Sequence, residues 1–253
     1  MMQNKNFLIL NILALLGVLT INALANILPI NGMNTGEISA RYPSLFTPAG
    51  FTFSIWSVIY LLLIGFVLVQ FSIQRKPYFT ELSLWFLASC VFNMSWILVW
   101  HYQLIYASVL IMLSLLFSLT KIFLLLQKQE LSTPKEKLFI ILPFTFYLSW
   151  ICVATIANIS ALLVSLSWDG GHLAPSVWTI LMISVASLIG IFIAERYREP
   201  AFLLVLIWAF FGIYSKWNGT ENQSISTTAL SELILLVILF FVFQFGLRKK
   251  SVS

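Results

Sequence analysis

The chemistry-bearing residues of this chain gather on one stripe. In Tyr147-Leu148-Ser149-Trp150-Ile151-Cys152-Val153-Ala154-Thr155-Ile156-Ala157-Asn158, Trp150, Ala154 and Asn158 recur every four residues, so a helix places them on one face. An indole offers a broad π surface with a single N–H donor. An amide donates and accepts, and it can orient a ligand carbonyl or carboxylate. A small residue such as Ala154 lets a ligand or a second helix approach closely. A buried amide in an apolar segment is costly without a partner, so the stripe must face protein or a cavity. Two further segments carry similar pairs: Trp56 and Tyr60 lie four apart, and Asn93 and Trp96 lie three apart. This chemistry suits stacking and orienting a flat apolar molecule. General acid–base catalysis is not expected, because the sequence offers no Ser-His-Asp set, no intramembrane carboxylate pair and no metal-ligand spacing. Cys90 and Cys152 fall in apolar runs and read as small buried hydrophobes. His101, at the end of a span, and His172, in a short loop, read as solvated rather than as haem ligands.

The elements that must position these residues are membrane spans. The 253 residues are 60% hydrophobic and only 9% charged, against about 25% charged in soluble domains. A β-barrel is excluded, since barrel strands alternate polar and apolar residues. The fold class expected is all-α, a polytopic membrane helix bundle of about eight transmembrane helices. Apolar runs near the required ~20 residues cover 7–28, 51–73, 82–100, 104–126, 138–165, 176–194, 201–214 and 228–247, the seventh being short. Charge supports this count. With eight spans, Lys5, Arg75, Lys76, Lys121, Lys128, Lys135, Lys137, Arg196, Arg198, Arg248, Lys249 and Lys250 share one side, against only Arg41 and Lys216 on the other. By the positive-inside rule both termini are then cytoplasmic. The formal charge of +5 therefore reads as topology, and no nucleic-acid partner is expected.

Lys5, the first apolar run and Ala23-Leu24-Ala25 also resemble a signal peptide, although the run exceeds the usual length of about 7–15 residues. A retained first helix is the preferred reading. Residues 29–50 form a long outer connection rich in turn signals, a lid or a tether. Pro48 and Gly50 mark the start of the second span, and Ser132-Thr133-Pro134-Lys135-Glu136 reads as a helix start. Trp85, Trp100, Trp168, Trp178 and Trp217 lie near span ends, as interfacial belts require. Trp56, Trp96, Trp150 and Trp208 lie deeper, and Trp208 alone reads as packing or lipid-facing mass. Ser184, Ala186, Ser187 and Gly190 suggest a packing face on the sixth span. Glu232 is the acid closest to membrane depth and reads as interfacial, with gating or proton coupling as the alternative.

These motifs, in this order, resemble the translocator protein family, also called tryptophan-rich sensory or peripheral benzodiazepine receptor-like proteins. The resemblance rests on Trp56 followed by Tyr60, on Asn93-x-x-Trp96, and on the pattern from Tyr147 to Asn158. It covers roughly residues 7–165. It implies a five-helix bundle over 1–165, leaving 166–253 as an additional three-span extension. It further implies an intramembrane pocket closed by the first loop, for porphyrins, sterol-like lipids or synthetic aromatic ligands. Carried over, Trp56, Tyr60, Asn93, Trp96, Trp150, Ala154 and Asn158 line or support that pocket, with Tyr106 where the family has a tryptophan. The first loop departs from the family's Lys-Pro-x-Trp, reading Tyr42-Pro43-Ser44-Leu45, and Pro143 lies about one turn early.

The function expected is a membrane protein that binds a porphyrin- or sterol-like molecule as sensor, carrier or regulator. A transporter and a porphyrin-degrading enzyme are the alternatives, with no enzyme activity preferred. No resident cofactor is called for, and a porphyrin or haem would be a ligand. The partners are the bilayer and that ligand. The resemblance suggests a homodimer, although the added spans compete for the same surface. The location expected is a bacterial cytoplasmic (inner) membrane.

Overall fold

In the first helix, α1 (Met2–Ile27), Leu8, Asn11, Leu15, Val18, Asn22 and Ala25 are buried, alternating steps of three and four. Between them Ile9, Leu13, Leu16 and Leu24 are exposed, as lipid-facing positions of a span would be. Asn11 and Asn22 thus sit in a packing seam, where each amide must meet a partner. The structure, a computed structural model, describes residues 2–28, 30–131, 133–168 and 170–250, with side chains described for 5–246 of these. Pro29, Ser132 and the side chains of Arg248, Lys249 and Lys250 lie outside the described residues.

The helices that follow are α2 (Thr35–Arg41), α3 (Ile55–Ile73), α4 (Phe79–His101) and α5 (Ile105–Gln127). A single turn α6 (Pro134–Glu136), a π-helical stretch (Lys137–Ile141) and α7 (Leu142–Ser165) then run on continuously. The chain ends in α8 (Pro175–Arg196), α9 (Ala201–Trp217) and α10 (Gln223–Lys250). Among the described residues seven helical segments are long and apolar enough to cross a membrane, and α9, at 17 residues, is the shorter apolar helix. The protein is an all-α, polytopic membrane protein. The short seventh run of the sequence is α9.

Local chemistry sets several boundaries. Thr133 caps α6 in a capping box with Glu136, and Pro134 sits in its first turn. Asn34 and Glu37 form the same device at α2, a helix the sequence reading left inside a loop. The π stretch leads directly into Pro143, which has no N–H to give the Phe139 carbonyl. A widened turn relieves the clash with the proline ring.

The chain folds as two compact units. One contains Met1–Tyr42 and Trp56–Ile151, the other Pro43–Ile55 and Cys152–Ser253. The expected division at 165/166 differs from this spatial one, which runs through α7 and assigns residues 43–55 to the later helices.

In the first unit α4 packs against both α1 and α5. Asn11 Nδ2 donates to Gln70 Oε1 at 2.9 Å and to Ser83 Oγ at 3.1 Å, tying α1 to α3 and α4. Gln70 Nε2 returns a bond to the Leu8 carbonyl. Loss of the segment through Ala25 would strip Gln70, Ser83 and Asn93 of these partners. Phe66, Phe86 and Phe144 meet edge to face, with Phe66 4.9 Å from Phe144. The outer connection begins on this unit: Asn31 Nδ2 donates to the His101 carbonyl, and Trp100 Nε1 to that of Thr35.

In the second unit Ile183, Ala186, Ser187, Gly190 and Ala194 are the buried face of α8. A Cβ on Gly190 would collide with Leu206 of α9, so the glycine sets how closely those helices pack. Residues 43–55 form a strap pinned by one stripe of α9. Trp208 Nε1 donates to the Thr52 carbonyl, Lys216 Nζ to that of Thr47 and Trp217 Nε1 to that of Leu45, each at 2.8 Å. The Ala49 N–H donates to the Gly212 carbonyl. Trp208, Gly212 and Lys216 step by four, and Gly212 leaves room for Thr52, whose side chain a Cβ would strike. Substituting Gly212→Ala is expected to cost about 1–3 kcal/mol through overpacking. The check is the thermal midpoint in detergent, which should fall in Gly212→Ala and partly recover when Thr52→Ala is added.

Candidate functional site

Tyr147, buried on α7, is where the sequence motifs of the first unit meet. Asn22 Nδ2 donates to Asn93 Oδ1 at 2.9 Å, and Asn93 Nδ2 donates to the Tyr147 hydroxyl at 2.8 Å. The chain links α1, α4 and α7. Both ends of the Asn93 amide are therefore engaged by protein. Around it, Trp56 stacks on Tyr60 with centroids 5.4 Å apart and planes at 21°. The same indole meets Tyr147 edge-on at 5.6 Å and Trp150 at 6.3 Å. The sequence thus assembles an aromatic box with a hydrogen-bonded amide beside it. Its helices hold it because Ile59, Leu63, Phe86 and Phe144 pack the interior nearby.

The other site residues fall differently. Trp96 stacks on Trp100 at 5.4 Å and 17°, one turn further along α4. Ala154 and Asn158 continue the Trp150 stripe on α7, Asn158 at 3% exposure and Ala154 partly buried. Tyr106 lies 62% exposed on α5 and is not brought to the box. Asn22 and Asn11 were missed by sequence reasoning. Their signal was present: two amides eleven residues apart in an apolar helix, on the spacing of its buried seam.

One further residue departs from the sequence reading. His101 is fully buried rather than solvated, its Nδ1 hydrogen-bonded to the Ile97 carbonyl at 2.8 Å, because α4 runs on through it and α2 and its flank cover that end. Trp100, near the end of α4, is likewise only 4% exposed and packs under Tyr42 at 6.1 Å. Glu232, on α10, has Oε2 buried with no hydrogen-bond partner among the described residues. Cys90 and Cys152 are free thiols.

The second unit holds a cavity of about 350 Å³. Ile156, Ile159, Ser160 and Leu163 of α7 form one wall, and Trp178, Thr179 and Met182 of α8 a second. The strap residues Pro43–Phe46 form a third, with Trp168 and Gly170 at one end. None of the eight sequence-predicted site residues is part of this lining. The departure at Pro43-Ser44-Leu45 is part of it.

Long apolar helices around buried amides and an aromatic box define the class as a polytopic helical membrane protein with a polar-linked aromatic interior. The chain belongs to the TSPO-like protein family, whose model matches residues 8–242. That match runs through α8, α9 and most of α10, beyond the 7–165 on which the resemblance rested. No curated protein and no solved structure matches the chain.

The amide chain has a direct test. Asn93→Leu leaves the Asn22 amide and the Tyr147 hydroxyl facing an apolar group, an expected loss of about 1–3 kcal/mol. Tyr147→Phe removes only one bond, worth about 0.6 kcal/mol in membrane proteins. Unfolding in mixed micelles should rank wild type above Tyr147→Phe above Asn93→Leu.

Proposed function

We propose that this TSPO-like membrane protein binds a flat hydrophobic molecule, porphyrin- or sterol-like, at the Trp56-centred aromatic box, and acts as its sensor, carrier or regulator. The observation that carries the reading is the arrangement of Trp56. Its indole is only partly buried, touches three other rings and lies beside a hydrogen-bonded amide–phenol pair. Rings that stack on each other can exchange that contact for a planar ligand, and each aromatic pair contributes about 0.5–1.5 kcal/mol beyond area burial. Trp96 on α4 extends the surface such a ligand would meet. A porphyrin would be held by stacking. The basic residues Lys5, Arg75, Lys76, Lys121 and Lys128 support a cytoplasmic N-terminus, and the membrane proposed is a bacterial inner membrane.

The test is tryptophan fluorescence during titration with a porphyrin in nanodiscs. Saturable quenching is expected, weakened about tenfold or more in Trp56→Leu. Quenching that is unchanged in Trp56→Leu and Trp150→Leu, after subtraction of empty nanodiscs, would remove the site.

A transport reading draws on Glu232, since an acid within a membrane span is a functional position by default. Proteoliposomes should then take up porphyrin in response to a proton gradient, and Glu232→Gln should abolish the response. Gradient-independent binding alone would leave the carrier role without support.

A further inference from the structure

The cavity of the second unit has a chemistry distinct from that of the aromatic box. Along α7 its lining steps through Ile156, Ile159, Ser160 and Leu163, and along α8 through Pro175, Trp178, Thr179 and Met182. Each set is one helical face, so two spans and the strap present continuous surfaces to one space. Its volume, about 350 Å³, falls in the range of pockets for drug-sized molecules, about 300–1,000 Å³. The described lining includes no charged side chain. A charged ligand would find no counterion among the described lining residues, and an unpaired buried charge is strongly unfavourable. The described walls therefore suit a neutral ligand.

Its hydrogen-bonding polarity follows from how the polar groups are already used. The Ser160 hydroxyl donates to the Ile156 carbonyl at 2.8 Å, and that of Thr179 to the Pro175 carbonyl at 2.9 Å. The Trp178 indole N–H donates to the Gly170 carbonyl at 2.8 Å. These three donors are spent within the protein, whereas the Ser44 hydroxyl of the strap accepts from the Phe46 N–H at 3.2 Å and keeps its own proton to donate. The Ser160 and Thr179 oxygens keep acceptor capacity. The α7 and α8 walls therefore favour a ligand that brings its own donor. Trp168 and Trp178, with centroids 5.3 Å apart, supply aromatic faces for rings.

The geometry points to a second ligand site, between α7, α8 and the strap, for an uncharged, ring-bearing apolar molecule carrying a hydroxyl or N–H donor. The α9 stripe holds the wall of this site. Trp217 and Lys216 bind the carbonyls of Leu45 and Thr47, immediately beside the strap residues that line the cavity. The site shares no lining residue with the aromatic box, and so stands or falls independently of it.

The experiment uses the full chain in nanodiscs, with energy transfer from tryptophan to pyrene-based probes. 1-Hydroxypyrene is expected to bind saturably, about tenfold tighter than pyrene, the worth of roughly one net hydrogen bond. Pyrene-1-sulfonate should not compete. The double variant Ser160→Ala with Thr179→Val, which removes the two helix hydroxyls while nearly preserving volume, should bring 1-hydroxypyrene down to the level of pyrene. Ser160→Phe, which fills the space, should lower binding of both neutral probes at least about tenfold. It should leave the Trp56-dependent porphyrin quenching in place, which also reports that the variant is folded. Equal affinity for 1-hydroxypyrene and pyrene, or no loss in the double variant, would overturn the donor preference. Non-saturable partition that is the same in wild type and Ser160→Phe would overturn the site itself.

Discussion

An amide inside a membrane span must find a partner, because hydrocarbon offers none. Much of the first unit can be understood from that requirement. Asn22, Asn93 and Tyr147 lie on three different helices, and their hydrogen bonds fix which faces of α1, α4 and α7 meet. Asn11, Gln70 and Ser83 do the same between α1, α3 and α4. The two levels are eleven residues apart on α1, about 16 Å at 1.5 Å per residue. Apolar side chains alone would tolerate rotation or sliding, since lipid tails are as apolar as leucine and provide no hydrophobic drive between helices. Two polar levels on one helix define both its rotation and its height.

The aromatic box depends on that registration. Trp56 meets Tyr147 and Trp150 only while α7 presents the face that Asn93 engages. Polar and aromatic roles are thereby divided. The amide serves as a structural anchor, and the Trp56 indole, partly buried, is the group on which the proposed ligand contact rests. Asn93 accepts from Asn22 and donates to Tyr147, which uses one acceptor site and one N–H of an amide that has two of each.

In the second unit backbone carbonyls of an irregular segment are satisfied by side chains of a helix. Residues 43–55 contain no regular helix until the short turn at Gly50–Ser54. Their carbonyls would be costly beside apolar surface. The indoles of Trp208 and Trp217 and the Lys216 ammonium answer three of them. Trp208, read from the sequence as packing mass, does pack on Phe51 and Phe211, yet its N–H also ties down the strap. The outer connection is therefore a tether whose second half belongs to the later helices, and it becomes a cavity wall as a result.

What the sequence determined by itself follows from near-neighbour rules. Apolar run length identified the spans, with the shortest run matching the shortest of the long apolar helices, α9. Capping chemistry at Thr133–Glu136 located the start of α6, and four-residue spacing placed Trp56 over Tyr60 on one face. Family membership was also legible, from motifs on three spans. The tertiary structure alone decided the partners of Asn11, Asn22 and Asn93, the burial of Trp100 and His101, the exposure of Tyr106 and the cavity formed with Pro43–Phe46. The amide hydrogen bonds and the cavity join residues tens to more than a hundred positions apart. Helical periodicity tells which residues share a face, but not which distant face or carbonyl will lie opposite.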